Sequence, residues 1–533
     1  MHALLGSADI LYEIFGQLAD EYDAAGGYEV PRRSLHNTMR CSALTCRNFM
    51  DPALDALWRN LDSLQPLFRL FECFSPEDGR LLSTQPVGGY ELQRYRAYAR
   101  RVRRLKYNSI LGNEDPVGPA ACIAVYHALG SPLLPSLRVL VWSVYDGTAV
   151  HLSTLVAPTL QIVSINVPFT HREVDGNRNS WIVERGKTRP QAVSGFLYEL
   201  ARTAPDVHSL TLRGVLAGVE LDSVSRLRSL KDLAVTGHGQ GGVNLAPLPS
   251  AVTFKNLLEF SCMKSLTCLC LKVTWIEIPA NAKDLEFSSV RAVKLYGRTS
   301  KVAAFLALLR RTALRDISVW QIEKDDVPDY PSLFRSLAFP GLRILSVNTN
   351  DFVDQNRATT SFKAASLLEP LLGCSELVSV RVVLHEFEAP MIHTTNRDLL
   401  SMAQAWPSVT DLTWYVNSTP GMMPTIQGPS AFADHCPSLE SLSVTCNVNI
   451  TFQSSNDIPF SRHPLRRLSL HGTHPDDVLY TAQWVYYLFP FVRDVVSNLG
   501  TTGKWNQLQR TVDAFQGVRS AWEKQVVAQA GAP

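Results

Sequence analysis

Three clusters in this 533-residue sequence hold residue types that could do chemistry. Gly237-His238-Gly239-Gln240-Gly241-Gly242 follows a predicted strand, where a glycine-rich turn can wrap a phosphate. VNLAPLPS comes next, so no helix N-terminus backs the turn, and the segment reads as an inter-repeat loop. Cys262, Cys268 and Cys270 lie close together, but zinc needs further ligands and the thirteen histidines are scattered. Arg94, Arg96, Arg100, Arg101, Arg103, Arg104 and Lys106 put seven cations in thirteen residues. They could receive a phosphorylated or acidic partner, yet they fit better as a solvated helix face joining two parts of the chain. HExxH, GxSxG, GxxxxGK[ST] and paired CxxC motifs are all missing. The expectation is a protein that catalyses nothing and holds no metal or cofactor.

Composition narrows the partners. Lys plus Arg (51) against Asp plus Glu (49) leaves a net charge of +2, so no global field draws nucleic acid or an anionic membrane. Hydrophobic residues at 46% exclude wholesale disorder. MHALLGSADILYEIF has no basic region ahead of an apolar run, and the apolar stretch 478–492 is too short to span a bilayer. Ten cysteines, mostly inside apolar patterns, suit buried thiols in a reducing compartment. A cytoplasmic or nuclear location is expected, without nucleic-acid or membrane partners.

The positioning elements come from an internal repeat. A triplet of apolar residues, spaced by two residues and then by one, recurs thirteen times from Val102/Leu105/Tyr107 to Leu465/Leu468/Leu470. Its mean interval is about 30 residues, the long end of leucine-rich-repeat periods. Turn signals such as PSLRVL, FPGLRIL and CPSLESL precede the triplets, and stretches such as 191–202 and 302–309 carry helical spacing. Each unit reads as strand then helix, and such units must stack to bury their apolar faces. The predicted fold class is α/β: a leucine-rich-repeat-like solenoid over 98–500. Intervals range from 23 residues to 47, and the longest holds a polar loop, 171–188. Trp505, Leu508, Val512, Phe515, Val518, Trp522 and Val526 form one helical stripe in 501–533, predicted to close the array. VRDVVSN, from Val492, reads as a degenerate last strand before it.

Residues 1–61 lack a strand signal. Ser7 can cap a helix striped with Ile10, Leu11, Ile14, Phe15 and Leu18. A second helix is predicted over 34–49, and a third starts at Asp51-Pro52 with Leu54, Leu57, Trp58 and Leu61 on one face. Residues 62–97 read as a helical linker. So small a bundle buries little core, which favours a partner on its apolar stripe.

ADILYEIFGQL followed by ALTCRNFMDPALDALWRNL resembles an F-box, the helical motif that docks F-box proteins onto the Skp adaptor of SCF ubiquitin ligases. Together with YARRVRRLKYN at the entry to the repeats, it is similar to fungal F-box proteins with divergent leucine-rich repeats. Gly6-Ser7-Ala8 stand where that family usually has Leu-Pro. The resemblance implies a substrate-recognition subunit held by the Skp adaptor and cullin ligase core. It places Ile10, Leu11, Ile14, Phe15, Leu44, Phe49, Leu54, Leu57 and Trp58 at the adaptor or behind its face. The pattern also fits a repeat scaffold or receptor that engages no ligase.

A target protein would meet the concave strand face, where small polar residues such as Ser318, Ser346, Thr413 and Ser469 alternate with the inward leucines. Tyr296, Trp320, Arg381, Tyr415, Arg467 and His471 are the candidate target-binding residues, aromatic and basic side chains of the kind enriched in binding hot spots. Packing under neighbouring loops is the alternative role for the aromatics.

Overall fold

The computed structural model describes residues 7–24, 29–77, 80–83, 87–107, 117–143, 148–167, 179–237, 252–282, 284–321, 329–349, 361–384, 391–449, 461–497 and 503–530. The chain divides into two compact units, Met1–Leu266 and Thr267–Pro533. Each is a leucine-rich-repeat-like stack of parallel strands with helices on the far side of the core.

In the first unit, strands Asn60–Leu61, Arg104–Tyr107, Val139–Ser143, Ile162–Val167, Ser209–Gly214 and Asp232–Gly237 pair in parallel, each with the next. The second unit continues the same rule from Cys268–Lys272 through Ala292–Tyr296, Asp316–Gln321, Ile344–Thr349, Ser379–Leu384, Asp411–Val416, Ser441–Cys446 and Arg467–Gly472 to Asp494–Val496. All thirteen apolar triplets are buried, none of their members more than 7% exposed. Consecutive triplets are also in register, Leu345 beside Val380 and Val380 beside Leu412, so the core is a continuous ridge of stacked side chains. Burying one such side chain is worth ~2 kcal/mol, and a lone strand–helix unit has nowhere to bury it.

The far layer varies from repeat to repeat. Helices Thr299–Leu308, Asn396–Ala405 and Val478–Leu488 fill three of the intervals, and a single 3-10 turn, Val224–Arg226, fills another. Several starts are fixed by side chains. Thr395 and Asp398 form a reciprocal capping box, as do Thr253 and Asn256. Asp329 and Asp477 each accept the backbone N–H three residues on.

Several expectations shift. The strand stack begins at Asn60–Leu61, inside the segment expected to be purely helical, and only two residues of it pair, too few to complete a triplet. The linker 62–97 is not wholly helical: an antiparallel hairpin, Phe74–Glu77 with Arg80–Ser83, stands between helices Gln65–Phe68 and Gly89–Ala99. Phe68, Phe71, Phe74 and Tyr95 cluster there with ring centroids 5.2–6.2 Å apart, so this stretch has a packed core of its own. The expected loop at 171–188 differs too, since a helix runs from Asn179 to Thr203 through Pro190. Residues 168–178 and 238–250 lie outside the described residues, which removes most of the 237–242 glycine turn from view.

The N-terminal helices are α1 (Ala8–Ala24), α2 (Glu29–Ala43) and α3 (Arg47–Trp58). The third starts four residues before the expected Asp51-Pro52, so Pro52 lies inside it, past the first turn, and leaves the Asn48 carbonyl without its i→i−4 donor. Phe49 accordingly belongs to α3, not α2. At the other end, Asp494–Val496 is the last strand, and helix Gly503–Ala530 buries Trp505, Leu508 and Val512. Its stripe is not buried throughout: Val518 and Trp522 are exposed, so burial is confined to the first half of the helix.

Candidate functional site

In-register parallel pairing turns equivalent strand positions into rows across the open face of the second unit. The middle row runs Cys270, Lys294, Ser318, Ser346, Arg381, Thr413, Ser443, Ser469. Its short hydroxyls leave the backbone approachable, with Lys294 and Arg381 as exposed cations among them. Two residues further along each strand, a second row carries Lys272, Tyr296, Trp320, Asn348, Val383 and Tyr415.

All six candidate target-binding residues lie on this face, and four of them meet in two pairs. Tyr296 and Trp320 sit on adjacent strands and stack at 6.4 Å with an 18° tilt between planes. Tyr415 and His471 are two strands apart, yet their ring centroids are 4.2 Å apart. Thr445 on the strand between explains this. It is buried, and its hydroxyl both donates to the Val416 carbonyl and accepts the Val416 N–H, so the two rings close over it. Arg467 reaches across Ser441 in the same way to Asp411 at 3.9 Å, a loose and exposed ion pair of small energetic weight.

Two of the six depart from the expectation of free, solvent-facing groups. His471 is only 9% exposed, and its Nε2 lies 2.9 Å from the Ser443 hydroxyl. Arg467 already has its carboxylate. The half-buried stacked pair Tyr296–Trp320 and the exposed cations Lys294 and Arg381 are the remaining features of this face. Asn348 beside Trp320 and Lys294 beside Ser318 complete this face but were not singled out, although their offsets from the triplets mark them.

Three of the buried thiols are held in the protonated form. Burial pushes the Cys436 and Cys446 thiols up to about 12, and Cys374 is raised for the same reason. Among the described residues, no group of three or more His, Cys, Asp or Glu side chains is placed to hold a metal ion.

The nine candidate adaptor-binding residues split by environment. Leu11 and Phe15 are core, packed with Ala19, Met39, Ala53 and Ala56, and Phe49 and Leu57 pack against that cluster. Phe15 and Phe49 meet edge to face at 6.0 Å. Trp58 packs on Tyr98 at 4.7 Å, joining α3 to helix Gly89–Ala99. Leu54 is half-buried. Ile10, Ile14 and Leu44 are exposed, Leu44 at 79%, and Met50, which the sequence reading passed over, joins them at 44%. Helical spacing finds a stripe but does not tell its buried edge from its open one.

No family model matches the chain, and no curated protein matches it. One similar solved structure is a leucine-rich-repeat protein of Leptospira interrogans, 13% identical, with a TM-score of 0.35 over 85% of this chain and 92% of that one. No helix among the described residues is long and apolar enough to cross a membrane.

Proposed function

We propose that this chain is a non-catalytic recognition subunit: α1–α3 dock onto a Skp-type adaptor of a cullin ubiquitin ligase, and the open face of the second unit holds a protein target. The observation that carries the docking half is the surplus of apolar side chains on a small module whose core is already complete. Leu11, Phe15 and their neighbours are buried, while Ile10, Ile14, Leu44 and Met50 stand in solvent. The target half is supported by the stacked Tyr296–Trp320 pair beside a floor of hydroxyls and Arg381, a combination suited to an extended peptide segment. Ubiquitin transfer would belong to other subunits, so no residue here has to act as nucleophile or base.

Co-purification with the Skp adaptor tests the reading. Deleting residues 1–61 would be a poor probe, because Asn60 and Leu61 pair with Arg104 and Leu105. Ile14→Asp with Leu44→Asp is preferable. Loss of the adaptor with an unchanged melting temperature supports docking. Failure of the wild-type chain to bind the adaptor leaves the repeat-scaffold reading, which Gly6-Ser7-Ala8 in place of Leu-Pro favours. Trp320→Ala with Tyr296→Ala should weaken target capture without unfolding the chain.

A further inference from the structure

Part of the middle row on the open face of the second unit is bounded by charge. Lys294 on Ala292–Tyr296 and Arg381 on Ser379–Leu384 stand at its two ends, with Ser318 and Ser346 in register between them. Three rungs of ~4.8 Å put the two cations about 14 Å apart. Both are exposed, the two serines are half-buried, and neither cation has a carboxylate partner among the described residues.

The two sides of this row differ. Tyr296 and Trp320 stack along the exit side, 6.4 Å between ring centroids. Asp316 lies on the entry side, two residues before Ser318 and beside Ala292 and Ile344. The other charges nearby are engaged or stand further off. Lys272 is buried and has an interaction of its own, and Arg291 donates to the Ser288 and Val290 carbonyls. Asp411 faces Arg467 at 3.9 Å. Arg315 and Arg343 hold the entry rung, a residue ahead of the Asp316 position, and are exposed.

We infer that this stretch takes an extended acidic peptide with carboxylate side chains at positions i and i+4 and an uncharged residue at i+2. The inference rests on the target-binding reading of this face. An extended chain rises ~3.4 Å per residue and turns alternate side chains to the same side, so i, i+2 and i+4 face the sheet and the outer two are about 14 Å apart. That span matches the cations, and each end gains a charge-assisted hydrogen bond. Position i+2 falls over Ser318 and Ser346, about 7 Å from the Asp316 position, where a third carboxylate would meet like charge within a Debye length. Tyr296 and Trp320 offer a flat apolar bank to the stems of the bound chain. A nucleic-acid strand fits poorly, because it carries a negative charge at every nucleotide and the rungs between the two cations hold only hydroxyls.

The test is a display library of random ten-residue peptides, sorted on the full chain and counter-sorted on Tyr296→Ala/Trp320→Ala, which retains the peptides that use this face. Expected among them are acidic residues four apart, enriched at least about threefold over acidic residues two apart. Their binding should fall about tenfold or more in Lys294→Glu/Arg381→Glu, and a fresh sort on that variant should select Lys or Arg at the same spacing. Lys294→Gln/Arg381→Gln should show a smaller loss. Lys301→Glu/Arg310→Glu makes the same change in net charge in the far layer and should leave binding within about twofold of wild type. All four substituted cations are exposed, and unchanged melting temperatures will show that the variants are folded. Retained peptides that bind Lys294→Glu/Arg381→Glu as tightly as wild type, or that lack the four-residue spacing, would overturn the acidic ligand and leave the target-binding role of the face standing. A counter-sort that retains no peptide would overturn both. Tighter binding of a ten-nucleotide oligothymidylate than of the best peptide would also overturn the inference.

Discussion

Acidification should destabilise the first unit through one buried imidazole. His151 is 2% exposed, lies edge-on to Trp142 at 5.2 Å, and its Nδ1 has no hydrogen-bond partner among the described residues. Burial lowers its pKa to about 4 from the ordinary 6.5. The neutral ring is therefore the folded form, and below pH ~6.5 the unfolded chain takes up a proton that the folded chain refuses. Stability from this group is complete above that pH and is lost as pH falls toward about 4. At 1.36 kcal/mol per unit, the loss is ~2 kcal/mol by pH ~5 and ~3 kcal/mol at the acid limit. Urea unfolding of wild type and His151→Leu across this range isolates the contribution, because every other titrating group is common to both. The difference between the two should widen by about those amounts as the pH drops. Parallel pH profiles, or an imidazole resonance that titrates near 6.5, would refute the assignment.

Three further outcomes follow from burial and backbone geometry. Phe15→Ala should cost ~3–5 kcal/mol in urea unfolding because Phe15 is central to the helical module, whereas Ile14→Ala on its exposed side should cost under about 1 kcal/mol. Gly214 closes its strand at φ +93°, and a Cβ there would meet the Val167 carbonyl oxygen at 1.9 Å. Gly214→Ala should lower the urea midpoint by more than about 2 kcal/mol equivalent, while Gly373→Ala, with open space around it, should be close to neutral. In the C-terminal helix, Leu508→Ala should cost ~2–5 kcal/mol and Trp522→Ala under about 0.5 kcal/mol, read by the same unfolding assay.

The open face of the second unit shows how a repeat builds a surface without a dedicated motif. Each strand contributes one residue per row, and neighbours in a row come from positions some thirty residues apart in the chain. A substitution in one repeat thus changes one tile of the surface while the inward triplet keeps its place. Tyr415 and His471 add a refinement: a small, self-satisfied residue on the intervening strand lets side chains two rungs apart touch. Closing them over Thr445 spends groups that would otherwise face a partner. Exposed charge on this face lies at Lys294 and Arg381, beside the Tyr296–Trp320 stack.

Local pattern alone determined the repeat. Inward residues recur at fixed offsets on every strand, so thirteen triplets could be placed by spacing, along with the last strand before the closing helix. The alternating positions that make the open face were legible for the same reason. Spacing could not mark the rung at Asn60–Leu61, because two paired residues carry no periodicity, nor the hairpin in 62–97. It also could not say which part of an amphipathic stripe ends in solvent: Leu11 and Ile14, or Leu508 and Trp522, look alike until neighbouring elements are in place. A further case is the arginines Arg59, Arg103 and Arg138, which hold one position at the entry to consecutive strands. The sequence shows a basic run near residue 100, which by itself suits a solvated helix. Only the ladder brings Arg59 and Arg138 beside it, since charge density depends on distances between rungs and not on distances along the chain.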